Sequence, residues 1–125
     1  MTGQYAGLRT IHHDIDGLTV LGFPCNQFGQ QEPGTDDEIL EFVTSKYDID
    51  FPMFSKIEVN GDGACDLYKT LTSIDADPVG SGPISWNFEK FIIGRNGEVV
   101  ARFSPRTKPD DPELMKVLEA ELAKK

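Results

Sequence analysis

Apolar residues recur with helical spacing in the first half of the chain, in two separate stretches. The first stretch ends at Asp16-Gly17, and the residues that fall on its helical spacing are Tyr5, Leu8, Ile11, His12 and Ile15. The second stretch predicts an amphipathic helix over residues 36–47. Thr35 and Glu38 are spaced as a capping box, which indicates that this helix begins directly after Thr35.

The second half of the chain carries two further helical patterns. A short one has its apolar positions at Leu67, Tyr68 and Leu71. The last one begins at Asp111-Pro112, an N-cap residue followed by proline at the first helical position, and continues to Leu122. The polar stretch at residues 73–83 between the two patterns contains two prolines and two glycines and predicts a loop.

Other stretches favour extended structure. The run LTVLGF at residues 18–23 is apolar throughout, which predicts a strand buried on both faces. Residues 51–59 predict an extended segment that ends in a turn at residues 60–63. Residues 88–93 and 98–103 flank Asn96-Gly97, and Asn-Gly between two apolar runs is typical of a hairpin.

The order of these elements predicts an α/β fold whose sheet is mixed, because the terminal hairpin adds antiparallel strands. The chain opens with a helix that leads into a buried strand. In an open α/β sheet such a helix normally connects two parallel strands, so a strand is expected before it. Only three residues precede the helical pattern. We therefore expect residues 1–125 to form a single domain that is incomplete at the N-terminus and lacks its first central strand.

Composition and charge narrow the classes of function. The 125 residues include 12 Lys and Arg against 21 Asp and Glu, and the net charge of −9 argues against binding to nucleic acid. No apolar run reaches the ~18–20 residues that a membrane span needs, and the first residues do not resemble a signal peptide. Two cysteines are too few for a disulfide scaffold. These features predict a cytoplasmic protein that does not bind membranes.

A loop rich in side-chain amides follows the predicted strand at residues 18–23. Its sequence, FPCNQFGQQEPG at residues 23–34, contains Asn26, Gln27, Gln30 and Gln31. Open α/β sheets place ligand sites at the carboxyl ends of their strands, and amides can hold an anion or a developing charge without titrating. The alternative is a polar loop whose amides only make turn and capping bonds, and composition alone favours that alternative.

Three other residues are candidates for chemistry. Trp86 and Asn87 supply an indole and an amide donor, although a tryptophan is more often a core anchor. Cys25 could be a reactive thiol, but a lone cysteine among apolar residues is more often a small buried side chain. His12-His13 does not predict a metal site, because adjacent helical residues do not face each other and no other Cys or His spacing completes one.

Four blocks of this sequence together resemble the glutathione peroxidase family. They are Thr2 with QYAGL at residues 4–8, FPCNQFGQQEPG at 23–34, FPMFSKIEVNG at 51–61 and WNFEKF at 86–91. The resemblance implies a thioredoxin-like fold. It also implies a peroxidase that acts in oxidative stress and reduces hydrogen peroxide and organic or lipid hydroperoxides. The co-substrate would be glutathione or thioredoxin, without a resident cofactor or metal.

The resemblance also implies a mechanism and a set of site residues. A selenocysteine or cysteine attacks the peroxide O–O bond, becomes a selenenic or sulfenic acid, and is restored by thiols through a mixed disulfide. Gln31, Trp86 and Asn87 match the other three members of the family's catalytic tetrad. Their hydrogen bonds would stabilise the anionic nucleophile and lower its pKa.

The sequence departs from the family pattern at two positions. The family motif reads Cys/Sec-Gly-x-Thr-x-Gln-Tyr, and Met1 stands at the position before Thr2. The nucleophile is therefore expected two positions upstream of Met1, and we hypothesise that it is a selenocysteine encoded by UGA. Val43 stands where thioredoxin-dependent members carry a resolving cysteine, which favours a glutathione-type or selenocysteine-type cycle.

Without its nucleophile the chain as written is expected to show negligible turnover. The alternative function is a catalytically inactive thioredoxin-like module for binding or redox sensing, using Cys25. A further alternative makes Cys25 a displaced nucleophile. The segment between Tyr68 and Trp86 lacks the longer insertion of tetrameric relatives, so we expect a monomer.

Overall fold

The computed structural model describes residues 3–29 and 34–124 of the chain. Within these ranges it has four helices and a two-stranded sheet. In chain order they are α1 (Gln4–Asp14), α2 (Asp36–Tyr47), α3 (Asp66–Ser73), β1 (Lys90–Ile93), β2 (Val99–Phe103) and α4 (Pro112–Leu122). Each of the four predicted helices is present.

The caps that the sequence predicts for α2 and α4 are formed. The Thr35 hydroxyl accepts a hydrogen bond from the Glu38 N–H at 3.2 Å, and the Glu38 carboxylate accepts one from the Thr35 N–H at 3.3 Å. The Asp111 carboxylate accepts from the Glu113 N–H at 2.9 Å, and Pro112 occupies the first turn of α4. These bonds satisfy helix N–H groups that have no partner within the helix, so local sequence alone fixes where both helices begin.

The predicted hairpin is also confirmed. β1 and β2 pair antiparallel with Lys90 opposite Phe103, and Gly97 in the connecting turn has a φ of +84°. β1 begins two residues later than the apolar pattern suggests. The reason is that residues 86–88 form a turn in which Phe88 adopts a φ of +67°, outside the range of an extended strand.

Residues 18–23 do not form the predicted strand buried on both faces. They make one isolated parallel bridge, between Gly22 and Met53. Gly22 donates to the Pro52 carbonyl at 2.9 Å and accepts from the Phe54 N–H at 2.8 Å. The Leu21 side chain is 51% exposed, so the run is not covered on both faces.

The physical reason for this difference is that no strand among residues 3–29 and 34–124 pairs with this run on its other side. A strand needs a hydrogen-bonding neighbour, and an apolar run cannot supply one by itself. The Val20 N–H donates instead to His12 Nδ1 at 3.1 Å. In the described residues the expected mixed sheet is thus an antiparallel pair with isolated parallel bridges, the second of which joins Pro78 to Arg102.

The buried side chains form three clusters. The first packs α4 against the hairpin through Ile92, Ala101, Phe103, Leu114 and Leu118. The second joins α1 and α2 to the following segment through Tyr5, Val43, Ile49 and Phe51. The third consists of Cys25, Phe28, Val59 and Ile84. Two members of this third cluster, Cys25 and Phe28, belong to the loop at residues 23–29, and Ile84 lies two residues before Trp86.

A groove of about 600 Å³ opens between the segment at residues 17–25 and the segment at residues 87–95. Both segments line it without interruption, and α1, α3 and α4 add apolar side chains. Within the described residues β1 pairs only with β2, so its other edge has no strand partner there. The groove therefore combines an apolar lining with an available strand edge.

Candidate active site

Two of the three predicted site residues lie in the turn before β1, and the third is outside the described residues. Trp86 and Asn87 belong to the turn at residues 86–88. Gln31 falls within residues 30–33, so its predicted position near them stays a prediction. Trp86 is 37% exposed, which does not fit a fully buried core anchor.

The turn contacts the amide-rich loop through Phe28. The Trp86 and Phe28 ring centroids are 5.7 Å apart with their planes tilted by 45°. The Asn87 side-chain amide donates to the Phe28 carbonyl at 3.4 Å. Phe28 itself is buried in the third cluster, so Trp86 and Asn87 both contact a residue that is held in place by packing. The structure thus brings the two predicted donors against the loop that the sequence singled out.

Gln27 fastens this loop to the segment at residues 57–61. Its side-chain oxygen accepts from the Val59 N–H at 2.7 Å and from the Asn60 N–H at 3.1 Å. Its side-chain nitrogen donates to the Asn60 carbonyl at 3.0 Å. For Gln27 the structural interpretation of the amides, as partners of backbone groups, is therefore correct.

Asn60 is a positioning residue that the sequence reasoning missed. Its side-chain nitrogen donates to the Ile84 carbonyl, and its side-chain oxygen accepts from the Ile84 N–H, both at 2.8 Å. The sequence placed Asn60 only in a turn with Gly61. No local signal shows that its amide would pair with a backbone 24 residues away, two positions before Trp86.

Cys25 is a small buried side chain within this network. It is 8% exposed, its thiol donates to the Gln27 side-chain oxygen at 3.3 Å, and its sulfur accepts from the Gln27 N–H at 3.4 Å. The burial and the two bonds fit the structural interpretation of this residue better than a role as nucleophile.

A buried ion pair behind the turn is the second feature that the sequence did not reveal. Arg102 on β2 donates from Nε to Glu89 Oε2 at 2.6 Å, and its Nη2 lies 2.5 Å from the same oxygen. The two side chains are 1% and 2% exposed. Glu89 and Arg102 are 13 residues apart, and only the hairpin register brings them together.

Lys90 is the first residue of β1 and follows the turn closely along the chain. Burial lowers the pKa of its amino group to about 8, and the neighbouring Glu89 carboxylate opposes that shift. The amino group donates to the Phe88 carbonyl at 2.5 Å and to the Pro105 carbonyl at 3.4 Å. The Lys90 amino group thus places a positive charge next to the turn, and it loses its proton at a lower pH than an ordinary lysine.

The two histidines of α1 take part in structural contacts. His12 accepts from the Val20 N–H, and His13 Nε2 lies 2.6 Å from the Asp50 carboxylate. Among residues 3–29 and 34–124, no three His, Cys, Asp or Glu side chains are grouped so that they could hold a metal ion. No helix in these ranges has the length and apolar character needed to cross a membrane.

The comparisons with known proteins identify the family to which this chain belongs. The family model described as glutathione peroxidase matches residues 1–72. The hydroperoxy fatty acid reductase Gpx2 of Synechocystis is 49% identical over 124 residues, covering 98% of this chain and 77% of that protein. The thioredoxin/glutathione peroxidase BtuE of Escherichia coli is 44% identical, with coverage of 99% and 79%. The chain therefore belongs to the glutathione peroxidase family, whose members are peroxidase-type oxidoreductases.

Solved structures agree with this family membership. The crystal structure of Trgpx in its apo form matches with a TM-score of 0.68 and 38% identity, covering 96% of this chain and 71% of that one. The structure of GPX1 from T. cruzi matches with a TM-score of 0.66 and 32% identity, with coverage of 95% and 69%. The fold is thus of the mixed α/β type found in this family, in a chain shorter than its relatives.

Proposed function

We propose that this chain is the larger part of a thiol-dependent peroxidase that reduces hydrogen peroxide and organic hydroperoxides. The observation that carries the proposal is the contact of Trp86 and Asn87 with Phe28 in the amide-rich loop. It joins two separate blocks of family sequence, at residues 23–34 and 86–91, into one surface that presents hydrogen-bond donors. The names of the relatives add support, since they include hydroperoxide reductases and peroxidases.

The donors have a defined task in this reaction. The Trp86 indole and the Asn87 amide donate hydrogen bonds and do not titrate, so they favour an anion without exchanging protons with it. A thiolate or selenolate beside them has a lowered pKa and is reactive near neutral pH. We assign Gln31 the same task on the basis of its family position.

The nucleophile belongs in the groove between residues 17–25 and 87–95. We propose that an upstream strand pairs with the available edge of β1 and carries the cysteine or selenocysteine two positions before Met1. The groove has an apolar lining and ends at the Asn87 turn, which supports this placement. The chain also covers only 77% and 79% of the two relatives named above.

The chemical step then balances with a thiol reductant. The nucleophile forms a bond to one peroxide oxygen, the O–O bond breaks, and the other oxygen leaves as an alcohol or water after taking a proton. Two glutathione thiols reduce the sulfenic or selenenic acid, releasing water and forming glutathione disulfide.

Val43 in α2 favours glutathione as the reductant. Val43 occupies the position of the resolving cysteine and is fully buried in the cluster with Tyr5, Ile49 and Phe51. A buried valine can form no disulfide, so the oxidised nucleophile is not resolved at this position, and we propose an external thiol instead. Reduction by thioredoxin is the alternative that a direct comparison of the two reductants tests.

The proposal is tested by comparing two chains. The nucleotides upstream of the Met1 codon show whether an in-frame UGA or cysteine codon stands two codons before it. A chain extended with that upstream segment, carrying cysteine at the UGA position, should consume peroxide with glutathione, and the 125-residue chain should not. Equal turnover by both chains, or an unrelated upstream sequence, would contradict the proposal. Cys25→Ser in the extended chain is the control and should keep its activity.

A further inference from the structure

We propose that the Glu89–Arg102 ion pair is a positioning device that holds the Trp86-Asn87 turn in its working geometry. The inference rests on the proposed function for the roles of Trp86 and Asn87 as donors. The ion pair keeps these two side chains in place through its contacts with the surrounding backbone. Glu89 and Arg102 are therefore positioning residues that do not touch the substrate.

The guanidinium of Arg102 connects β2 to the loop that precedes the turn. Besides its two contacts with Glu89, Nη1 donates to the Gly80 carbonyl and Nη2 to the Pro83 carbonyl, each at 3.0 Å. The planar guanidinium can make these bonds simultaneously because its donors diverge at fixed angles. The loop at residues 80–83 is thereby anchored to the hairpin.

The Glu89 carboxylate also binds Ser85, the residue directly before the turn. Its second oxygen, Oε1, accepts from the Ser85 N–H at 3.0 Å and from the Ser85 hydroxyl at 2.9 Å. Ser85 directly precedes Trp86, and Glu89 follows Asn87 by two residues. The two donors therefore lie between two points that a single carboxylate ties together. Ile84, one residue earlier, is held independently by Asn60.

Phe88 shows why the turn needs such support. Its φ of +67° lies in the left-handed region, which is unfavourable for a bulky side chain and persists only where the surroundings impose it. Phe88 stands between Asn87 and Glu89. The ion pair fixes Glu89 and thereby the backbone directly after Phe88. If that constraint were lost, the Phe88 ring would keep its contact with Tyr5, but the backbone after Phe88 would no longer be fixed and the Trp86-Asn87 turn would shift.

The composition of the pair also favours positioning over stabilisation. Burying two charges carries a desolvation cost, and apolar side chains of similar volume often stabilise a protein as well or better. Apolar side chains could not bind Ser85, Gly80 and Pro83 at once. The ion pair thus supplies directional contacts, and all of them converge on the segment at residues 80–89.

Trp86 permits a direct test because it is the sole tryptophan of the chain. Its fluorescence reports its surroundings without any need for turnover. Ser85→Ala removes one hydrogen bond at an exposed residue and leaves the ion pair intact, whereas Glu89→Gln removes the charge. Ser85→Thr retains the hydroxyl and is the matched control.

Acrylamide quenching near 10 °C, where domains are typically close to maximum stability, is the measurement. Glu89→Gln should raise the quenching constant by up to about threefold, the ratio of a free indole to one that is 37% exposed. Its emission maximum should also move to the red. Ser85→Ala should change both values in the same direction by less, and Ser85→Thr should match the parent.

Unchanged quenching in a folded Glu89→Gln variant would overturn the proposal. If circular dichroism shows that this variant does not fold, Ser85→Ala decides, and quenching equal to the parent overturns it there. A parent chain whose Trp86 is quenched like a free indole would overturn it as well. Because no readout depends on peroxide, a failed peroxidase assay contradicts the proposed function and leaves the positioning role standing.

Discussion

At the scale of single residues, we propose that the side-chain N–H groups of Trp86 and Asn87 are the donors that the described site offers to an anion. In the extended chain with a cysteine nucleophile, Trp86→Phe keeps an aromatic ring next to Phe28 and removes the pyrrole ring with its N–H. We expect kcat/KM for hydrogen peroxide to fall by about 10²-fold, the lower end of the loss on removing one such donor. Asn87→Ala should have a similar effect.

A pH profile distinguishes this role from a general loss of structure. Fewer donors stabilise the thiolate less, so the acid limb of kcat/KM should move to higher pH in both variants. Trp86→Phe should keep the thermal midpoint of the parent. A loss of activity with an unshifted pH profile would contradict the assigned role.

The burial of Lys90 predicts that the stability of the folded protein depends on pH. Its pKa in the folded protein is about 8, below its ordinary value of 10.5, because burial penalises the charged amino group. Between these two pH values the unfolded chain binds more protons than the folded one. The penalty on folding is therefore fully present below pH 8 and is relieved as the pH rises from 8 towards 10.5.

We expect the thermal midpoint of the parent to rise from about pH 7.5 to about pH 9.5 relative to that of Lys90→Met, which has no proton to release there. The comparison stops below pH 10 because burial raises the pKa of the Tyr68 hydroxyl, whose ionisation would then contribute. Circular dichroism at the two pH values measures the difference. Parallel midpoints in the two proteins would show that Lys90 is not desolvated.

At the scale of elements, the sequence predicts well whatever is determined by near neighbours. The capping box of Thr35 with Glu38, the Asp111-Pro112 start of α4 and the Asn96-Gly97 turn each act over a few residues, and each forms as predicted. The segment at residues 18–23 differs because a strand depends on a partner elsewhere in the chain. Its apolar composition predicts that the segment is buried, but it does not predict which backbone groups the segment pairs with.

The same distinction applies to the candidate site. Trp86 and Asn87 could be singled out because indole and amide donors stand in a recognisable block of family sequence. The residues that hold them could not, since Asn60 reaches Ile84 and Arg102 reaches Glu89 only after the fold is formed. Their polar side chains would ordinarily indicate an exposed surface, and the register of the hairpin alone reveals the burial of Arg102.

At the scale of the whole molecule, the groove between residues 17–25 and β1 leaves strand edges unpaired within the described part of the chain. A backbone group that is buried without a partner costs roughly 1–3 kcal/mol, against a typical net stability of about 5–15 kcal/mol. We therefore expect the 125-residue chain to be only marginally stable. Its groove should also bind a dye that fluoresces on apolar surfaces.

An upstream strand seated in the groove should reverse both properties. If it pairs even two or three such groups, the thermal midpoint should rise by roughly 10 °C, since each kcal/mol moves it by about 4 °C in a chain of this size. Dye binding should fall at the same time, because the strand covers the apolar lining. A matched extension with Asp at its groove-facing apolar positions is the control, and it should gain neither. A steep, cooperative transition of the monomeric 125-residue chain at the midpoint of the extended chain would show that the groove needs no strand.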